Sequence, residues 1–199
     1  MKTKLMLAVV VLGLIAVLWA ALPYLLPTSI ALGPCGRDWM SPSSWIPRAS
    51  PTRSESWSIG RTKGKICYGS PSTRGRTVFG ELVRWGQLWR AGANEPTRIF
   101  VNGPVDFAGI PLQAGRYSIY VLPQPQRWQV FVNDSTYHWG NAISKSVRLR
   151  EIGSAQLAVS STAGHVEQLT FRWQPVDDQH GSLVLEWEAT RVEIPLAQL

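Results

Sequence analysis

An alternation with a period of two runs through the chain from Trp57 onward, and it admits strands while leaving no room for long helices. Tyr117, Ile119 and Val121 share one face of residues 116–122, and Trp128, Val130 and Val132 share one face of residues 127–133. Leu169, Phe171 and Trp173 alternate with Gln168, Thr170 and Arg172; Leu183, Leu185 and Trp187 alternate with Val184, Glu186 and Glu188. Residues 97–101 follow the same rule. Successive side chains of a strand point to opposite faces, so each stretch reads as a half-buried strand. Turn-forming residues separate them: Asn102-Gly103-Pro104, Ala114-Gly115, Pro123-Gln124-Pro125, Asp177-Asp178 and His180-Gly181. Only residues 79–89 have room for a short helix, and Gly80 and Gly86 weaken it. The expected architecture is all-β, an antiparallel β-sandwich over residues 57–199, with Trp128, Trp173 and Trp187 in its core. A domain of that size buries ~68–70% of its unfolded surface.

The chain of 199 residues has room for one such domain and an appendage. Residues 5–26 carry no charge and are interrupted only by Gly13 and Pro23. As a helix this run would be ~33 Å long, enough for a bilayer core of ~30 Å. Lys2 and Lys4 precede it and the next cation is Arg37, which places residues 1–4 in the cytoplasm and the rest outside. The expectation is one N-terminal transmembrane helix holding a periplasmic ectodomain to the inner membrane. Cleavage at Ser29-Ile30-Ala31 would give a secreted protein instead. Leu32-Gly33-Pro34-Cys35 has the outline of a lipoprotein processing site, with Pro34 a poor fit. Residues 27–56, rich in Pro, Ser and Gly, read as a linker.

The formal net charge is +7, falling to +5 without Lys2 and Lys4. The cations are mostly arginines scattered along the chain, with no dense stripe and no recognition motif. Nucleic acid is therefore not an expected partner; a basic surface facing anionic lipid or cell wall is. An oxidising compartment permits Cys35 and Cys67 to bridge, but Cys35 precedes the domain between Pro34 and Gly36. A bridge on which the fold depends is not expected.

Standard catalytic and cofactor signatures are missing: no His-Glu-x-x-His, no Cys-x-x-Cys, no phosphate-binding glycine loop and no Gly-x-Ser-x-Gly. No cofactor is expected, and His138, His165 and His180 are too widely spaced to announce a metal site.

One stretch escapes both simple periods. Residues 71–95, PSTRGRTVFGELVRWGQLWRAGANE, combine glycines, tryptophans, arginines and an Asn-Glu pair. Arg90 offers a planar donor fork, Glu95 an acceptor or general base, and Asn94 a side chain suited to a tight turn. Together they read either as a binding loop for an anionic or hydroxylated ligand, or as a structural network in which Arg90 pairs with Glu95 and Asn94 shapes the turn before Pro96. Trp85, Trp89 and Trp139 lie off a clean strand alternation and are candidates for stacking on sugar rings. His138 titrates near neutrality and adjoins Trp139-Gly140-Asn141.

Pro71, Ser72, Gly75, Arg76, Phe79, Gly80, Leu82, Val83, Trp85, Gly86, Trp89, Arg90, Gly92, Ala93, Asn94 and Glu95 together resemble the signature of the bacterial domain of unknown function 2911 family. The resemblance runs from about Pro47 to Pro195, sharpest in the central third, and His138-Trp139-Gly140 matches it too. Cys67 departs from it, standing where the family has a polar residue. The candidate binding residues are Arg76, Trp89, Arg90, Asn94, Glu95, His138 and Trp139, with Glu95 and His138 as candidate catalytic groups. The first functional expectation is a membrane-tethered binding or scaffolding module of the cell envelope, with an anionic or carbohydrate ligand. The second is a periplasmic hydrolase using Glu95 or His138 as acid/base and Arg90 as an electrostatic clamp.

Overall fold

The computed structural model describes residues 13–15, 17, 35, 48–136, 138, 140–141 and 143–199. Among the described residues nine strands carry the fold: β1 (Thr52–Ile59), β2 (Thr62–Gly69), β3 (Thr97–Val101), β4 (Val105–Phe107), β5 (Ile110–Leu112), β6 (Gly115–Pro123), β7 (Arg127–Asn133), β8 (Glu151–Pro175) and β9 (His180–Gln198). One four-residue helix, α1 (Lys145–Arg148), precedes β8. Every strand pairing is antiparallel, in the order β1-β2-β3-β6-β7-β8-β9-β4-β5.

The expected all-β antiparallel architecture is present. β8 makes it three-dimensional. Its first part, through Ala158, pairs with β7, and from Val159 to Pro175 it pairs with β9. One long strand thus belongs to both halves of the sheet, and the sheet folds over itself in a sandwich-like manner. β1 returns against β8 and β9, and β5 against β8. Across this closure Trp57 packs on Trp173, with centroids 5.9 Å apart, and Tyr68 meets Phe171 edge-on at 4.9 Å. The Tyr68 hydroxyl accepts from the Phe171 N–H (3.1 Å), and the Glu55 carboxylate accepts from the Trp173 N–H (2.8 Å). Side chains therefore satisfy backbone donors on a stretch of β8 where the β7 ladder has ended.

The core lies between the two halves and includes Ile66, Ile99, Trp128, Leu169 and Trp187, each buried. Trp173 packs at its margin, partly buried. A smaller cluster, Tyr120, Phe131 and Val147, occupies the opposite face of β6 and β7, where Leu88 and Ile143 cover it.

Two expectations are corrected. Residues 79–89 form no helix; they are turns and isolated bridges. Positive φ at Gly80 (+100°) and Gly86 (+69°) breaks any helical run there. β1 begins at Thr52, inside the segment read as linker, because its polar side chains hide a strand that is paired through its backbone to β2. Cys35 and Cys67 are joined in a disulfide, Cα–Cα 5.5 Å. Cys67 is buried in β2, so the bridge fastens the segment before the domain to an interior strand. The proposed membrane run, residues 5–26, lies almost wholly outside the described residues, of which Gly13–Ile15 and Val17 are helical. No helix among the described residues is long and apolar enough to cross a membrane.

Candidate functional site

The signature segment joins β2 to β3 as a loop tied to the sheet at two points and to itself at one. Ser72 bridges to Gln168 of β8, Phe79 to Val83, and Trp89 to Val121 of β6. At the last, Trp89 and Val121 exchange both backbone hydrogen bonds at 2.8 Å. The exchange turns the Trp89 side chain inward. It is 6% exposed, stacks on Trp187 with centroids 5.9 Å apart, and meets Trp128 and Phe79 edge-on. Its Nε1–H donates to the Gly92 carbonyl (3.1 Å). Trp89 is a core residue, and its ring faces are unavailable for stacking on a sugar. Trp85 keeps its exposure, at 37%.

Arg76 folds back on its own turn. Nε donates to the Thr73 carbonyl (2.9 Å) and Nη2 to the Ser72 carbonyl (3.0 Å). That turn is fixed from β8 as well: the Thr73 hydroxyl donates to the Glu167 carboxylate, which also accepts from the Arg74 N–H (3.0 Å). His165 Nε2 stands 3.3 Å from both Thr73 Oγ1 and Glu167 Oε2. These contacts, led by the Thr73 hydroxyl, hold the Glu167 carboxyl down to about 2.

The expected Arg90–Glu95 pair does not form. Glu95 is engaged by Arg48, at 2.6 Å from Nη2 and 2.7 Å from Nη1, with side-chain exposures of 16% for Arg48 and 14% for Glu95. This two-pronged geometry is the strong form of an arginine–carboxylate contact. Its partner comes from the segment before β1, 47 residues away in sequence, a distance at which no local spacing signal exists. Asn94 does shape the turn: its φ is +63°, and its side chain donates to the Ser50 carbonyl (3.2 Å). Both residues therefore clamp the loop onto the segment leading into β1.

Arg90 points elsewhere. Its N–H donates to Asn141 Oδ1 (3.3 Å), and a Cβ on Gly140 would sit 3.6 Å from its Nη1. The guanidinium thus lies along the turn at residues 140–141. Nε is buried without a hydrogen-bond partner, and among the described residues no carboxylate is bonded to the head. Burial pulls the guanidinium below its ordinary value, with the nearby Glu95 charge opposing the shift. His138, on the same loop, has Nδ1 3.1 Å from the Ser135 carbonyl, while Nε2 is buried without a partner. Burial lowers the His138 value, so the ring is neutral at neutral pH, and the carbonyl contact places the proton on Nδ1. Trp139 lies outside the described residues.

The sequence-predicted residues therefore divide. Arg90 is brought to the loop carrying His138, Glu95 and Asn94 form the clamp, and Arg76 and Trp89 hold the segment's own shape. Arg48, Asn141, Thr73 and Glu167 were not singled out from the sequence. Among the described residues no group of three or more His, Cys, Asp and Glu is placed to hold a metal ion. No curated protein and no solved structure matches the chain. The family model described as a protein of unknown function, DUF2911, matches residues 50–196, covering all nine strands but the last residues of β9 and the whole signature loop, and the chain belongs to that family.

Proposed function

We propose that this chain is an exported binding module of the cell envelope, tethered by residues 5–26 to the inner membrane, whose signature loop takes an anionic ligand at Arg90. The observation that carries this reading is the state of Arg90. A guanidinium drawn partly out of water without an ion-pair partner is unfavourable, and a bound carboxylate or phosphate relieves that cost. Glu95, the anion nearest in sequence, is already committed to Arg48. The positive charge of the ectodomain favours the approach of an anion. The Cys35–Cys67 bridge suits an oxidising compartment outside the cytoplasm.

The hydrolase reading needs Glu95 or His138 free to move protons. Glu95 is held in its ion pair, and His138 Nε2 is buried. Binding asks neither group to move a proton and is the better-supported reading.

The test is ligand-induced stabilisation of the purified full chain by inorganic phosphate and by succinate, compared between the parent and Arg90→Gln. A concentration-dependent rise in Tm in the parent that disappears in the variant is expected. Equal responses in the two proteins, or none in the parent, would refute the assignment.

A further inference from the structure

An open cleft of about 410 Å³ separates the signature loop from the β8–β9 ribbon. Its size falls in the ~300–1,000 Å³ range of small-molecule sites. Phe79 and Trp85 form one wall, and Ser160, Ser161, Glu188 and Thr190 belong to the other. Arg90 does not line it.

Two features show that this cleft is built. The first is the aromatic wall. Trp85 stacks on Phe79 with centroids 5.9 Å apart and planes 23° from parallel, and Phe79 is itself rooted in the core against Trp128. Gly80 lets the indole lie in place, since a Cβ there would stand 2.8 Å from Trp85 Nε1. One indole face is thus braced from behind. The side chain remains 37% exposed, an unusual position for a tryptophan with no covering segment among the described residues.

The second feature is Glu188. It has φ +57° in the middle of β9, where the β8–β9 register shifts between Ser161 and Thr170. A non-glycine residue held in the left-handed region inside a strand is strained, and such strain gathers at ligand sites. Its carbonyl lies 3.3 Å from the Thr162 hydroxyl, whose shorter bond goes to the Gly164 carbonyl (2.7 Å). Its carboxylate crosses to the signature loop, where Oε2 accepts from the N–H groups of Val78 (3.2 Å) and Phe79 (3.4 Å). Oε1 has no hydrogen-bond partner among the described residues.

We infer that this cleft binds a neutral carbohydrate, with a pyranose ring lying on Trp85 and its hydroxyls donating to Glu188. A sugar presents an apolar C–H face to an aromatic ring and hydroxyls around its edge. The cleft answers with one indole face, one acceptor carboxylate, and the hydroxyl-bearing residues Ser161 and Thr190, which pair across β8 and β9. A free anion is disfavoured by Glu188. A quaternary ammonium is best held by several aromatic faces; here Phe79 is spent bracing Trp85, and two N–H donors already temper the carboxylate. This site is independent of the anion reading at Arg90, and either stands if the other fails.

The experiment is calorimetric titration of the full chain with cellotetraose, chitotetraose and tetramethylammonium, using the parent, Trp85→Ala, Trp85→Phe and Glu188→Gln. Saturable binding of at least one oligosaccharide is expected, weakened about tenfold or more by Trp85→Ala and largely kept by Trp85→Phe. Near-ultraviolet circular dichroism verifies that the variants are folded. No saturable binding of either sugar up to ~10 mM, undiminished binding in Trp85→Ala, or binding of tetramethylammonium alone would overturn the assignment.

Discussion

Breaking the Cys35–Cys67 bridge should destabilise the domain by an amount set mainly by the loop it closes. The two cysteines are 32 residues apart. In the chain-entropy account a loop of that length restricts the unfolded state by about 3.7 kcal/mol at 25 °C. For a domain near 150 residues each kcal/mol moves Tm by ~2–4 °C, so the expected loss is about 10 °C. The closed loop includes Arg48, whose ion pair with Glu95 loses its covalent support when the bridge opens. The assay is thermal unfolding of the full chain as purified, after reduction, and as Cys35→Ser and Cys35→Ser/Cys67→Val. The valine keeps the buried Cys67 position apolar, because a serine there would bury a new hydroxyl and confuse the comparison. Reduction should bring the parent down to the level of the variants and leave the variants unchanged. A reduced parent and variants melting within ~2 °C of the oxidised protein would refute the argument, since the bridge would then close a loop that the unfolded chain does not lose.

The Arg48–Glu95 pair should behave as partly buried: Glu95→Ala is expected to cost about 2–3 kcal/mol, between the exposed and fully buried limits, and chemical denaturation measures it. The Arg48→Met/Glu95→Leu double variant should recover part of that loss, because no charge is then stranded. Glu167 should contribute a pH-dependent clasp. Its folded value is lowered from 4.5 to about 2, so its contribution is complete above pH ~4.5 and disappears as pH falls through 2. Acid titration of the parent against Glu167→Gln should show a stability difference at pH 6 that closes between those limits; a constant difference down to pH 2 would reject the clasp.

The strands legible in the sequence were those whose core residues recur at every second position. β3, β6 and β7 announce themselves through Ile99, Ile119, Val121, Trp128 and Val130, although Arg98, Tyr120 and Phe131 on their other face are buried as well. β1 was hidden because its outer residues are polar and its place is fixed by backbone pairing. Trp89 looked like a site residue because it stands off any alternation; only the bridge to Val121 shows that its backbone is held as a strand is, with the ring turned into the core. Glu95 invited pairing with Arg90 by proximity in sequence, whereas the partner that reaches it arrives from before β1. α1 gave no signal, having four residues and a Ser144 cap. Glu188 sat on the polar face of a regular alternation. Only the register shift in β9, which no single sequence displays, turns it toward the signature loop.

The sharing of β8 between the two halves of the sheet has a consequence for how the chain comes to be folded. Strands β1 and β2 are made first, yet Trp57 and Tyr68 find their ring partners on Trp173 and Phe171, near the end of the chain. The leading hairpin must wait with its aromatic surface uncovered until more than a hundred further residues have followed. Closure is therefore a late event dominated by distant contacts, which is slow and open to mispairing. An early covalent or electrostatic hold on the leading segment shortens the search. Arg48 and Cys35 are placed to supply one, since their partners Glu95 and Cys67 emerge well before β8 does.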